Sequence, residues 1–365
     1  MHTVLLQPSH LPDMQQALQL LQAGQLVAVP TETVYGLAAD ATNAQAVQAI
    51  FAAKGRPSNH PLIVHLADAQ QMRQWAQDIP AVAWQLADAF WPGPMTLLLK
   101  KAPAVLDVVT GQLDTIGLRV PAHPVLLSLL TQGNLAVAAP SANRYKKLSP
   151  TSAQQVMAGL SGRIAAVVDG GDCQHGLEST IIDVTGDEPK ILRAGPITAD
   201  DVEFVLGIRV LQPSQHDVRV PGNVKAHYQP GTPLYLKSAS ELFAKLSTMP
   251  DDIAVIYHSA LMHSAVVNSA VINSSVIDNT IIESAVSAQA PALNLTANTA
   301  EVAAQVRSSP RLRLPDDAAG FGQQLYRSLF ALDQLGLKAI YLEMPPTGND
   351  WLAVHDRLQR AQTHE

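Results

Sequence analysis

Apolar and polar positions change period repeatedly over the first two-thirds of the chain. Asp13 to Ala23 (DMQQALQLLQA) has apolar residues at helical spacing, with Pro12 before it and Gly24 as a stop. QLVAVP (Gln25–Pro30) then predicts a buried strand. Ala44–Ala53 predicts a helix, Pro61–Leu66 a strand, and residues 80–90 a further helix. Short apolar runs at 95–100, 116–121, 135–140, 165–170 and 179–184 predict more strands. Strands interleaved with helices predict an α/β layer structure. Periodicity lapses over 208–237, where four prolines and two glycines predict a linker. Beyond it a helix near 239–247, a strand at 253–257, a helix near 318–335, a strand at 338–344 and a helix over Asp350–Gln362 predict a smaller α/β domain. Residues 264–283 are four tandem five-residue units, SAVVN, SAVIN, SSVID and NTIIE. That is about one coil of a solenoid, too little to bury a core, so an apolar insertion is the expected form.

Composition narrows the class. A chain of 365 residues carries a prior of two domains. With 47% hydrophobic and 15% charged residues it is not a disordered chain. A net charge of −7 excludes a broadly basic surface for nucleic acid, though not a local patch. The one cysteine, Cys173, excludes an intramolecular disulfide and any multi-cysteine zinc or iron–sulfur site, and is expected to be an inert thiol. No apolar run approaches a membrane span, and Met1–Gln25 lacks the basic start of a signal peptide. A cytoplasmic protein is expected.

The common nucleotide and hydrolase signatures (P-loop, GxGxxG, HExxH, GxSxG) are absent, so any ATP site uses another cradle. PTETVYGLAADA (30–41) follows a strand. Alternation would put Thr31, Thr33 and Tyr35 on one face, lining a pocket, or leave Tyr35 in the core. KGRPSNHPLIVH (54–65) sets Lys54 and Arg56 on a proline-stiffened loop suited to phosphate, or to solvent. Arg119 in GLRVPAHP sits inside an apolar strand and calls for a carboxylate, from the protein or from a ligand. APSANRYKKLSPT (139–151) offers Ser141, Asn143, Ser149 and Thr151 as donors. Its cluster Arg144, Tyr145, Lys146 and Lys147 suits either RNA or a solvated loop. GLESTIID brings Ser179 to a strand start, and ILRAGPI brings Arg193 to a strand end.

In order, PTETVYGL, KGRP with PLIVH, FWPGPMTLLL, GLRVP, APSAN with SPT, GLESTIID and ILRAGPI resemble the YrdC-like family. PGNVKAHYQP, LYRSLFALDQLGLKAIYLE and DRLQRA resemble the linker and C-terminal domain of its long, two-domain threonylcarbamoyl-AMP synthases. The resemblance implies a YrdC-like twisted mixed sheet with flanking helices over 1–207, a lid-like linker over 208–237 and a small Rossmann-like domain over 238–365. It implies a nucleotidyltransferase that joins L-threonine, bicarbonate or CO2, and ATP into threonylcarbamoyl-AMP, releasing pyrophosphate. A downstream transferase and tRNA are the further partners it implies, with Mg2+ on the ATP and no protein metal ligand.

By the same resemblance, Lys54 and Arg56 serve the chemistry. Thr33, His65, Arg119, the backbone of Ala139, and Ser179 hold threonine. Arg56, His60, Thr115, Ser141, Ser149, Arg193 and Tyr228 hold the nucleotide, Tyr228 as a lid. Two departures stand out: His60 replaces an asparagine, and Tyr145–Lys146 replaces a Ser-Gly pair. An RNA-binding role, as in short YrdC-like proteins, sits poorly with the net charge. The related hydrogenase-maturation carbamoyltransferases carry zinc fingers, which a single cysteine cannot build.

Overall fold

A computed structural model describes residues 2–213, 218–222, 227–260, 262–264, 266 and 310–363. Apart from Ser264 and Val266, the pentamer run lies outside the described residues. The chain divides into two compact units, Met1–His227 and Tyr228–Glu365. No helix among the described residues is long and apolar enough to cross a membrane.

The first unit is built on a mixed sheet of ten strands. They are β1 (Val4–Leu6), β2 (Val27–Val29), β3 (Gly36–Asp40), β4 (Ile63–His65), β5 (Met95–Lys100), β6 (Thr115–Arg119), β7 (Val137–Ala138), β8 (Ala166–Val168), β9 (Thr180–Asp183) and β10 (Lys190–Arg193). Their order is β1-β8-β2-β3-β7-β4-β6-β5-β9-β10. β4 and β6 run parallel with His65 opposite Arg119, and β5 joins β6 antiparallel and β9 parallel. Successive strand residues face opposite sides. Val27 and Val29 enter one apolar cluster with Ala38, Val137, Ala166 and Val168, while Ala28 enters another with Leu37, Ala39, Val64 and Val167. Burial on both faces is why these strands read as continuous apolar runs rather than as alternations.

Helix Ala44–Lys54 shows how the sequence places chemistry. Asn43 Oδ1 caps it by accepting from the Gln45 and Ala46 amides, and Gly55 ends it with a φ of 65°. That stop puts Lys54 in the last turn and Arg56 just beyond it.

The second unit holds β11 (Leu234–Lys237), β12 (Ile253–Tyr257), β13 (Arg311–Arg313) and β14 (Ala339–Glu343), ordered β11-β14-β12-β13. All neighbouring pairs are parallel, as a small Rossmann-like sheet requires. Helix Ala318–Asp333 buries Phe321, Leu325, Tyr326 and Leu329. The Glu343 carboxylate accepts from the His258 and Ser259 amides at 2.8 and 3.1 Å, closing the carboxyl end of β12.

The stretch 208–237 does not behave as one linker. Its start belongs to the first unit: Leu211 bridges to Lys190, Val220 packs with Ile63, Leu98, Ile181 and Leu192, and Pro221 O accepts from Arg193 at 2.9 Å. Its end belongs to the second. The Asp333 carboxylate accepts from the Gly231 and Thr232 amides at 2.9 and 2.6 Å, and Leu234–Lys237 is a strand of that sheet. Prolines around LYLK hid this strand from the pattern.

Candidate active site

Period-two alternation brings three of the expected residues, His65, Thr115 and Arg119, onto one sheet face. Ile63 and His65 of β4 share it with Gly117 and Arg119 of β6, through the pairs Ile63–Gly117 and His65–Arg119. Thr115 lies on the same face of β6, and Thr96 and Leu98 on β5. Ser179, just before β9, joins it through a hydroxyl contact of 2.8 Å to Thr96. Thr115 and Arg119 stand roughly 13 Å apart at ~3.3 Å per residue. Gly117 between them has no side chain, and a Cβ there would lie 3.3 Å from Thr96 Cγ2 and 3.4 Å from Ile63 Cγ1.

At one end Arg119 is buried and fully oriented. Its Nη2 donates to Glu32 Oε1 at 2.5 Å, Nη1 to Thr33 Oγ1 at 3.0 Å, and Nε to Gly93 O at 3.1 Å. Glu32 also accepts from the Ala122 amide at 3.0 Å. The carboxylate that this arginine called for is therefore one from the protein. Burial alone would raise the Glu32 carboxyl, but the Arg119 charge and the hydrogen bonds outweigh it and hold the group below its ordinary value. Burial first, and then the Arg119 charge, push the His65 imidazole down to about 3, so the ring is neutral at physiological pH. Its buried Nδ1 has no hydrogen-bond partner among the described residues. Thr33 is turned by its own backbone: Thr31 Oγ1 accepts from the Thr33 and Val34 amides, both at 3.1 Å. Residues 31–34 thus form a hydroxyl-stapled turn, not the extended segment that alternation implied. Tyr35 leaves the site altogether: its ring is fully buried, and its hydroxyl donates to Gly171 O at 2.7 Å.

Toward the other end Lys54 is buried beneath the loop after β7. Its ammonium donates to Ser141 O, to Asn143 O at 2.7 Å and to Asn143 Oδ1 at 3.3 Å. Three acceptors use its three protons, so its direct partner is the loop. Burial, then the Arg56 charge, depress this amine well below the ordinary lysine value. Arg56 Nη2 donates to Pro61 O at 2.9 Å, and His60, whose basicity burial and Arg56 also lower, lies half-buried in the same loop. Ala139 spends its amide on Ile63 O at 3.0 Å.

Beside them, Ser149 Oγ donates to Glu178 Oε1 at 2.6 Å. Arg193 grips Ser179: Nε and Nη2 donate to its carbonyl at 3.0 and 2.9 Å, and Nη2 also to its Oγ at 3.0 Å. Gly195 backs this contact so closely that a Cβ would lie 2.3 Å from the Thr180 nitrogen. Tyr228 opens the second unit. Its ring is buried in the second unit, stacked 5.7 Å from Tyr326 with the Arg357 guanidinium 5.5 Å over it. Cys173 is buried, and burial pushes its thiol up to about 12, out of nucleophile range.

Residues 19–195 match the family model described as "Telomere recombination", and residues 197–363 match "Threonylcarbamoyl-AMP synthase, C-terminal domain". A threonylcarbamoyl-AMP synthase of Pyrococcus abyssi is 40% identical over 250 residues, spanning 65% of this chain and 74% of that protein. The chain belongs to the threonylcarbamoyl-AMP synthase family. Another family member, from Bacillus subtilis, is 44% identical over 234 residues, 63% of this chain and 68% of that one. The solved structure of P. abyssi Sua5 complexed with L-threonine matches all of both chains at 30% identity and a TM-score of 0.77. The two-unit architecture is thus the family's long form. Motif reading missed Glu32 and Thr96 as supports of this face, and offered Asn143 as a donor where its carbonyl and Oδ1 accept from Lys54. A buried arginine's need for a carboxylate, with Glu32 lying between Thr31 and Thr33, was the signal for the first. Thr96 gave no comparable signal.

Proposed function

We infer that this protein is a threonylcarbamoyl-AMP synthase, joining L-threonine, bicarbonate or CO2, and ATP with release of pyrophosphate. One observation carries the inference: Thr115, Arg119, His65 and the Thr96–Ser179 pair share a sheet face, in a chain that matches a relative solved with L-threonine over its whole length. The threonine amine adds to CO2 and loses a proton to give a carbamate. A carbamate oxygen attacks the α-phosphorus of ATP, the bond to the β-phosphate bridge breaks, and pyrophosphate leaves. Such transfer needs positioning and charge, not an enzyme nucleophile.

In this reading the guanidinium of Arg119 meets the threonine carboxylate. Neutral His65 approaches the amine without repelling it, and Thr33, Ser179 and the Ala139 backbone complete the seat. Arg56, His60, Thr115, Ser141, Ser149 and Arg193 take the nucleotide. Lys54 holds the Ser141–Asn143 loop and lends it positive potential. Tyr228 would close over the nucleotide as a lid. Among the described residues no group of three or more His, Cys, Asp or Glu side chains could hold a metal ion. Mg2+ would be held by the phosphate oxygens of ATP and offset their charge. The nucleotidyltransferase product would pass to a transferase that modifies tRNA in the cytoplasm.

The test is pyrophosphate release from ATP with each substrate omitted in turn. Release is expected only with threonine and bicarbonate together; release indifferent to threonine would sink the reading.

A further inference from the structure

The motif FWPGPMTLLL (90–99) carries no residue of the threonine or nucleotide seats, yet it lies between two residues that do. Gly93 O accepts from Arg119 Nε at 3.1 Å, and the Gly93 amide donates to Val120 O at 2.9 Å. One residue on, Pro94 O accepts from the Thr180 amide at 3.0 Å. The motif then enters β5. Its antiparallel register on β6 pairs Leu97 with Leu118 and Leu98 with Gly117, which sets Thr96 one step farther, level with Arg119. On its other side β5 runs parallel to β9, with Thr96 opposite Ile181. Thr96 thus stands between Arg119 and Ser179.

The protons at this point can be assigned. Thr96 is fully buried, and among the described residues its hydroxyl meets one partner, Ser179 Oγ, at 2.8 Å. Ser179 Oγ also accepts from Arg193 Nη2 at 3.0 Å. A hydroxyl has one proton and two lone pairs. If Ser179 gave its proton to Thr96, the Thr96 proton would be stranded in the core, and a buried donor without an acceptor is costly. With Thr96 as the donor, the two lone pairs of Ser179 are taken by Thr96 and Arg193, and its own proton is left over. That proton suits a substrate oxygen. The carboxylate of an amino acid, and the carbamate made from its amine, both present acceptors.

We propose that Thr96 is a positioning residue for the threonine seat: by donating to Ser179 it frees that hydroxyl's proton for an oxygen of the bound substrate, beside Arg119. The proposal rests on the synthase reading above. Thr96 itself touches no substrate. Arg193 fixes where the Ser179 oxygen sits, and Thr96 decides that this oxygen acts as a donor.

The experiment titrates threonine and ATP against pyrophosphate release by the full-length protein and by Thr96→Val, Thr96→Ser, Ser179→Ala and the double variant Thr96→Val with Ser179→Ala. Valine keeps the branched shape that suits a strand and removes the hydroxyl. In Thr96→Val the threonine concentration for half-maximal release is expected to rise about five- to tenfold, the effect of one lost hydrogen bond, with the ATP requirement within about twofold. Thr96→Ser restores the hydroxyl and should bring the threonine requirement back to within about twofold. Because Thr96 acts through Ser179, the double variant should need no more threonine than Ser179→Ala alone. Thermal melts show that each variant is folded at the assay temperature. Were Thr96→Val too unstable to assay, Thr96→Ala would remove the same hydroxyl and read the same comparison. No loss in Thr96→Val, or equal loss toward threonine and ATP, would overturn the proposal. So would additive losses in the double variant, or Thr96→Ser behaving like Thr96→Val. Any of these leaves the synthase reading standing so long as the unsubstituted protein releases pyrophosphate only with threonine. If that threonine dependence were missing, the synthase reading would fall and take the proposal with it.

Discussion

Glu32→Gln is expected to raise the threonine concentration for half-maximal pyrophosphate release by roughly ten- to hundredfold, the loss typical of one charge-assisted hydrogen bond. The ATP requirement should stay within about twofold. Glu32 touches no substrate in the proposed arrangement. It acts by fixing the Arg119 guanidinium, which also reaches Thr33 and Gly93. A neutral amide keeps the shape but leaves the buried arginine without a counter-charge, which costs about 3–5 kcal/mol of stability. A pH signature follows from the depressed carboxyl. A group held below its unfolded value contributes stability in full above that value and loses it as pH falls through the folded one. The stability gap between the two proteins should therefore be widest above the ordinary glutamate range and shrink in acid. Urea titrations across pH, beside substrate titrations, check both parts. Equal loss toward threonine and ATP would assign the ion pair to the fold alone.

Lys54→Met is expected to abolish measurable turnover and to lower the melting temperature. The thioether fits the space but leaves Ser141 O, Asn143 O and Asn143 Oδ1 without their donor. Each buried acceptor so stranded costs about 1–3 kcal/mol. The Ser141–Asn143 loop would move, and Ser141 with it. Lys54→Arg should rescue poorly, because a planar fork cannot reproduce three convergent N–H groups. Thermal melts read beside pyrophosphate release separate two origins. A variant with unaltered melting and only a weakened ATP requirement would mean that Lys54 meets phosphate directly.

What the sequence reveals follows from how local each cause is. Met95–Lys100 and Ile253–Tyr257 form strands at the very residues the apolar runs marked, because burial on both faces writes itself into consecutive positions. Gly36–Asp40 and Val4–Leu6 escaped the pattern: the first is held between nearby Val27–Val29 and distant Val137–Ala138, the second only by distant Ala166–Val168. The spacing of Thr31, Thr33 and Tyr35 suggested a lined face. A threonine hydroxyl that accepts from the amides two and three residues on folds the segment instead, and Tyr35 turns into the core. The arginine in GLRVP announced a carboxylate, but spacing could not choose between ligand and protein. The boundary of the second unit stayed hidden for the opposite reason. Tyr228, Gly231 and Thr232 look like linker by composition and are held by Tyr326, Arg357 and Asp333 about a hundred residues later.

The lone thiol has a use that its inertness confers. Cys173 lies within the core, its amide bonded to Thr151 O at 2.9 Å and its thiol raised to about 12. Alkylating reagents require the thiolate and access to it. The folded chain is therefore silent to them until the packing around Thr31 and Thr151 opens. Labelling speed at Cys173 becomes a clock for that opening, set at the back of the turn that carries Glu32 and Thr33. Because the chain has no second cysteine, the clock runs without background.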